Sequence, residues 1–439
     1  MKRLQASFLA ISVLASLPAV AVVNGTNVSS STYQDYVLKV DFNGSNCGGA
    51  LIGSEYFLTA KHCLVGGIGS TGIMKYGQSI KNETTASVGY TIVKTGEDSG
   101  LAADWVANTD ARFATLLAAD SGLTGYSLKD SKVNKDWALL KLDSKIGHST
   151  GAILSPLYDF GTKTNNLPLD TKMTFRGFGI DSSGSAPSIM QTSQFKTNNS
   201  WHQARTEGKG FGDVYDAEVG VDIPIVCLAT TYNGTTGDIC YWDGYDTVEL
   251  WNVGTTELGA GDSGTPLSHD NKILAIASSS AWSNKDVFQH FTYSMDHIAS
   301  AINKVIYPNA HKQVTSGDSS TQAFTVAIQN FSGSSVNLAP TLVDPTGQFS
   351  AVVAGCVGIL DAKQGCLMTA SFDPKGVGIT STFTASIDMG NGESVPLKIS
   401  VKPTTKSTPA AAPSGGSGGS MGLFSMLALM SFGWLRRKA

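Results

Sequence analysis

The chain has 439 residues, a formal net charge of −4 and only 15% charged residues. That length allows two or three domains with well-filled cores, and the acidic balance, with no basic patch interleaved with aromatics, argues against a nucleic-acid partner. Gly, Ser and Thr are abundant while long amphipathic helical runs are few, a profile of short strands joined by polar turns.

Lys2 and Arg3 open the chain, residues 4–17 are mostly apolar, and Ala19-Val20-Ala21 is a small-x-small pattern. This is the layout of a signal peptide over residues 1–21, and its apolar run is too short to span a bilayer. Across residues 22–310, apolar stretches such as Tyr36-Val37-Leu38-Lys39-Val40 and Lys272-Ile273-Leu274-Ala275-Ile276 alternate with Gly/Asn/Ser turns. They predict strands of an antiparallel barrel or sandwich. Residues 295–306 have helical spacing and are expected to close this unit, followed by a polar joint at 313–321. A second strand-rich region spans 323–403, with turns at Asp344-Pro345-Thr346-Gly347 and Gly390-Asn391-Gly392. Its alternation puts Phe324, Val326 and Ile328 on one face of a strand, as a sandwich core requires. Residues 404–420 have the Pro/Ala and Gly/Ser composition of a linker, and the apolar stretch 421–435 precedes Arg436-Arg437-Lys438.

The six cysteines fall into three close pairs: Cys47 with Cys63, Cys227 with Cys240, and Cys356 with Cys366. An even number in an exported chain suits disulfides, although spacing leaves the connectivity open. Zinc is the alternative, and the tight ligand spacing it needs is absent. Asp/Asn-rich turns such as residues 213–222 read as hydrated loops, so no metal site is expected.

Three separated segments carry groups suited to acyl transfer. The first is Cys47-Gly48-Gly49-Ala50-Leu51-Ile52 followed by Leu58-Thr59-Ala60-Lys61-His62-Cys63. The others are Asp136-Trp137-Ala138-Leu139-Leu140 and Gly259-Ala260-Gly261-Asp262-Ser263-Gly264-Thr265-Pro266. A serine hydroxyl needs an adjacent base to become nucleophilic, and a histidine base needs a carboxylate to fix its tautomer. Glycines beside the serine let backbone N–H groups converge on an oxyanion.

Together these segments resemble the trypsin-like serine peptidase family, over about residues 22–308. The resemblance implies an all-β fold: two six-stranded antiparallel barrels with a C-terminal helix, in a domain of residues 22–310. It implies His62 as general base, Asp136 as its orienting carboxylate and Ser263 as nucleophile, with the N–H groups of Gly261 and Ser263 as oxyanion hole and no cofactor. Cys47–Cys63 corresponds to the bridge of the histidine loop and Cys227–Cys240 to the bridge before the serine loop. Ser278 falls on the strand that pairs with substrate backbone, and Glu257 and Asp286 fall at pocket positions. A carboxylate there implies cleavage after Arg or Lys in protein or peptide substrates. Val22-Val23-Asn24-Gly25 resembles the new amino terminus whose ammonium pairs with the aspartate before the serine, here Asp262. No Arg or Lys stands immediately before Val22, so signal cleavage after Ala21 is expected to create that terminus.

Residues 313–403 resemble the immunoglobulin-like modules of bacterial surface enzymes, which implies a β-sandwich acting as spacer or docking unit. Gly415-Gly416-Ser417-Gly418-Gly419, the apolar stretch and the basic end resemble a GlyGly-type sorting signal over 415–439. That resemblance implies a Gram-negative source, transient membrane contact, processing by a rhomboid-like protease and type II secretion to the cell surface or medium. Two other readings stay open: a catalytically silent adhesin on the same fold, and an esterase using the same three residues.

Overall fold

In the computed structural model the alternating segments become strands. The structure describes residues 25–96, 136–156, 171–180, 185–196, 256–280, 285–291 and 294–402, with further strand backbone at 127–128, 158–159, 164–165, 207–211, 225–232, 235–243 and 247–252. The signal segment with Val22, the linker and the sorting tail lie outside these residues. So do the Asp213 to Asp222 turns.

Six strands close a barrel in the order Val37–Phe42, Ser45–Ile52, Tyr56–Thr59, Ala138–Leu142, Ala86–Thr95 and Thr71–Gly77. Val37–Phe42 and Ala86–Thr95 alternate buried and partly exposed side chains, whereas Tyr56–Thr59 is buried on both faces. Leu38, Val40, Phe57, Leu58, Ile92 and Leu139 are essentially inaccessible there. Trp137 is also fully buried and donates its indole N–H to Ser294 Oγ at 2.8 Å, which ties the Asp136 segment to the start of the helix.

A second antiparallel set runs Gln191–Lys196, Lys172–Gly177, Pro266–His269, Lys272–Ser280, Lys285–His290 and Thr247–Asn252. The last strand also pairs with the first, Phe195 opposite Asn252 and Lys196 opposite Trp251. Edge-to-face contacts among Phe175, Phe195 and Phe288 fill the space within this set.

The helix is shorter than its periodicity predicts. It spans Met295–Ile302 and stops at Asn303, whose left-handed φ of 46° is one that Asn tolerates. Val305–Ile306 then leave the helix and pair with Asn330 and Gln329. A backbone pairing available from a distant strand has overridden the local periodicity.

The C-terminal region forms two four-stranded sheets. One runs Val305–Ile306, Gln322–Asn330, Gly365–Phe372, Phe349–Val352; the other runs Ala310–Val314, Ser394–Val401, Phe383–Asp388, Thr341–Val343. Phe324, Val326 and Ile328 are buried in one apolar cluster with Ile387, Leu397 and Ile399 of the other sheet. Disulfides join Cys47 to Cys63 and Cys356 to Cys366. The backbone register sets Cys227 directly opposite Cys240. No helix among the described residues is long and apolar enough to cross a membrane.

Candidate active site

The carboxylate of Asp136 organises the site. It sits at the start of the strand Ala138–Leu142, while His62 lies in a short 3-10 turn, Lys61–Cys63, that follows Tyr56–Thr59. These two strands are neighbours in the barrel, so the histidine and the aspartate meet across one rung. Asp136 Oδ2 lies 2.6 Å from His62 Nδ1, and Oδ1 accepts the His62 backbone N–H at 2.9 Å. Ser278 donates its hydroxyl to Oδ2 at 2.7 Å. The Asp136 backbone N–H donates to Gln289 Oε1 at 2.9 Å. First-barrel groups thus orient one side of Asp136, and two strands of the second set supply the other.

Charge follows from these contacts. Asp136 raises the His62 imidazole above its ordinary range by hydrogen bonding and by its charge, against a smaller opposing effect of burial. Burial pushes the Asp136 carboxyl up, but the His62 ring, the His62 N–H and the Ser278 hydroxyl outweigh it and hold the group below its usual value. With Nδ1 engaged, Nε2 is the nitrogen left to exchange protons with a substrate or a nucleophile. The His62 side chain remains about half exposed.

Ser263 stands on a tight turn pressed against the histidine loop. Its carbonyl accepts the Gly48 N–H at 2.8 Å and lies 3.9 Å from Cys63 Sγ, the residue after His62. Gly264, at φ 81°, packs so closely that a Cβ there would stand 2.6 Å from the Ala60 nitrogen. Only glycine fits that position. Gly261 also has positive φ, at 101°. Among the described residues, the N–H groups of Gly261 and Ser263 have no backbone acceptor.

Asp262 is fully buried between them. Gly179 donates its N–H to Oδ1 at 2.7 Å and Gly259 donates to Oδ2 at 2.9 Å. Burial pushes its carboxyl up to about 6 despite the backbone N–H groups of Gly259, Gly179 and Phe178.

The two pocket carboxylates differ in setting. Glu257 is exposed, whereas Asp286 is wholly buried on the strand Lys285–His290 and accepts the Leu258 N–H at 3.1 Å. Ser278 is also buried, with its hydroxyl on Asp136. Reading the sequence missed that contact and missed Gln289 altogether. No group of side chains among the described residues has the makings of a metal site.

A family model described as Trypsin matches residues 22–244, a span that includes His62 and Asp136 and stops before Ser263. No curated protein matches the chain. Among solved structures it is similar to the secreted serine protease VesC from Vibrio cholerae, at 16% identity and TM-score 0.36, over 86% of this chain and 71% of that one. It is also similar to the VesB protease of Vibrio cholerae, at 14% identity and TM-score 0.33, over 87% and 99% of the two chains. A third is the scabies mite inactivated protease paralogue S-D1, at 16% identity and TM-score 0.38, over 64% and 97%.

Removing the Asp136 charge is expected to lower the titration midpoint of His62, because that carboxylate is what raises it. NMR titration of the His62 ring in Ser263→Ala and in Ser263→Ala/Asp136→Asn protein measures this. A midpoint that stays put or rises on adding Asp136→Asn would show that the carboxylate does not control the ring.

Proposed function

The chain belongs to the trypsin family, and from that premise we propose that it is an exported serine endopeptidase that acylates Ser263. The observation that carries this reading is the Asp136 carboxylate, which engages both the ring and the backbone of His62 while the Ser263 loop is held against the same turn.

Ser263 Oγ attacks the scissile carbonyl and His62 Nε2 takes its proton. Asp136 steadies the resulting imidazolium without accepting the proton itself. The N–H groups of Gly261 and Ser263 receive the carbonyl oxygen as it gains charge. His62 then hands its proton to the departing amine, and a water deprotonated by the same ring releases the acyl group. None of these steps calls for a cofactor.

For specificity we favour Asp286 over Glu257. A buried carboxylate at the base of a slot interacts strongly with an entering guanidinium or ammonium, whereas an exposed one is screened. Substrates are then proteins or peptides cut after Arg or Lys. The paired strands of Thr247–Asn252 and Gln191–Lys196 support a second six-stranded barrel, and the two facing C-terminal sheets support an immunoglobulin-like sandwich. Two disulfides and the amino-terminal signal pattern support export. The tail keeps its reading as a GlyGly-type sorting signal acted on by a rhomboid-like protease and the type II secretion machinery.

Asp262 supports a role for Val22. Among the described residues its partners are backbone N–H groups, and a buried carboxylate ionises more readily beside a cation. The ammonium of a chain beginning at Val22 would supply that cation.

Cleavage-site mapping by mass spectrometry on a denatured protein mixture tests the activity. Ser263→Ala should lower turnover by at least about 10⁴-fold. Asp286→Asn should lower kcat/KM after Arg and Lys by about 100-fold, and Glu257→Gln by less than about fivefold. Equal cutting by wild type and Ser263→Ala would sink the peptidase reading, while cuts after other residues would sink only the specificity.

Retaining Ala21 ahead of Val22 tests the terminus. Without the ammonium, Asp262 is neutral and costs little below about 6, and its ionisation is uncompensated above that. The activity deficit of the extended chain should therefore widen as pH rises past that value. Equal activity of the two chains at pH 8 would dismiss the role of Val22.

A further inference from the structure

The strand Lys272–Ser280 serves both the Ser263 turn and Asp136. Ala277 accepts the Gly264 N–H at 2.7 Å and donates to the Thr265 carbonyl at 2.9 Å, which fixes the turn after the nucleophile. Its register with Lys285–His290 shifts between Ala277 and Ser279. That irregularity coincides with Ser278, whose hydroxyl reaches Asp136. A bulge re-aims one side chain, and its placement depends on the register of the whole strand.

The other end of this strand is held from outside the barrels. Ile153–Leu154 run parallel to Lys272–Ile273. Ile153 donates its N–H to the Asn271 carbonyl at 2.9 Å, and Ser155 donates to the Ile273 carbonyl at 2.9 Å. Leu154 is hydrogen-bonded in turn by a side chain of the C-terminal sandwich. Gln329 Oε1 accepts the Leu154 N–H at 2.8 Å, and Gln329 Nε2 donates to the Leu154 carbonyl at 2.7 Å. A primary amide carries an acceptor and a donor side by side, as a peptide group does, so Gln329 completes Leu154 as a strand neighbour would. Gln329 is itself buried and also donates to the Lys363 carbonyl at 3.1 Å. Its strand partner Gly365 lies so near Ile153 that a Cβ would fall 2.4 Å from Ile153 Cγ2.

We propose that Gln329 and Gly365 are positioning residues for peptide hydrolysis, seating Ile153–Leu154 so that the strand Lys272–Ser280 keeps the register that puts Ser278 on Asp136. The sandwich is then a working part of the peptidase rather than a spacer. A leucine at position 329 would leave the buried N–H and carbonyl of Leu154 without those partners, a loss the chain relieves by shifting. A side chain at 365 would push directly on Ile153. The inference rests on Ser263 being the acylated nucleophile.

The test uses the full chain, with kcat and KM expressed per active site by titration with a covalent serine reagent. Gln329→Leu and Gly365→Val should lower kcat on a peptide amide by about 10-fold, a sub-ångström displacement against the roughly 10²-fold that a full one-ångström misplacement can cost, with KM changed less than about twofold. Both should shift the acid limb of the kcat/KM pH profile in the same direction as Ser278→Ala, and combining either with Ser278→Ala should add little more. Gly365→Ala, the smaller wedge, should act in the same direction if the valine variant does not fold. Gly333→Ala, at an open position of the same sandwich, should match wild type. Wild-type kcat and pH profile in Gln329→Leu and Gly365→Ala would overturn the inference alone. Wild-type protein lacking any Ser263-dependent hydrolysis would overturn the peptidase reading and this inference with it.

Discussion

A carboxylate whose side chain is only 10% exposed needs donors for both oxygens, and Asp136 draws them from both halves of the peptidase region. The histidine turn of the first barrel supplies the ring and a backbone N–H, and the strand Lys272–Ser280 supplies the Ser278 hydroxyl. Gln289, on the strand after it, fixes the backbone of the same residue. Burial opposes ionisation of Asp136 and these contacts, those of His62 foremost and that of Ser278 after them, outweigh it and keep the charge that raises the His62 imidazole.

The Ser263 turn depends on the same junction through sterics rather than charge. Ser263 hangs from a turn whose next residue, Gly264, touches the backbone of Ala60, and whose carbonyl is held by Gly48. The Cys47–Cys63 disulfide ties the strand bearing Gly48 to the histidine turn, so both supports of Ser263 move together. Next to the serine, Asp262 is enclosed without a side-chain cation among the described residues, an expensive setting for a charge and one that an ammonium would relieve.

The candidate site residues stand out in the sequence because each is flanked by residues with few alternatives. His62 sits beside a cysteine, and Ser263 is enclosed by glycines that a tight turn needs. Strands such as Val37–Phe42 were legible from period-two alternation, and so was the stripe of Phe324, Val326 and Ile328. What stayed hidden was long-range pairing. Nothing local marks Gln289 as a partner of Asp136, or Gln329 as a partner of Leu154, 175 residues away. The helix was read too long for the same reason, since Val305–Ile306 fit its apolar spacing equally well and left it for a strand partner. The family resemblance placed Glu257 at the pocket base and Asp286 on its wall, whereas Glu257 is exposed and Asp286 is buried.

The central claim is that Asp136 and His62 make the Ser263 hydroxyl nucleophilic. The most direct measurement is labelling of the folded protein with a fluorophosphonate, followed by peptide mass spectrometry to locate the adduct. The account predicts a single adduct on Ser263 that forms rapidly in wild type and is nearly lost in His62→Ala. Absence of an adduct, modification of another serine, or equal labelling of His62→Ala would contradict it.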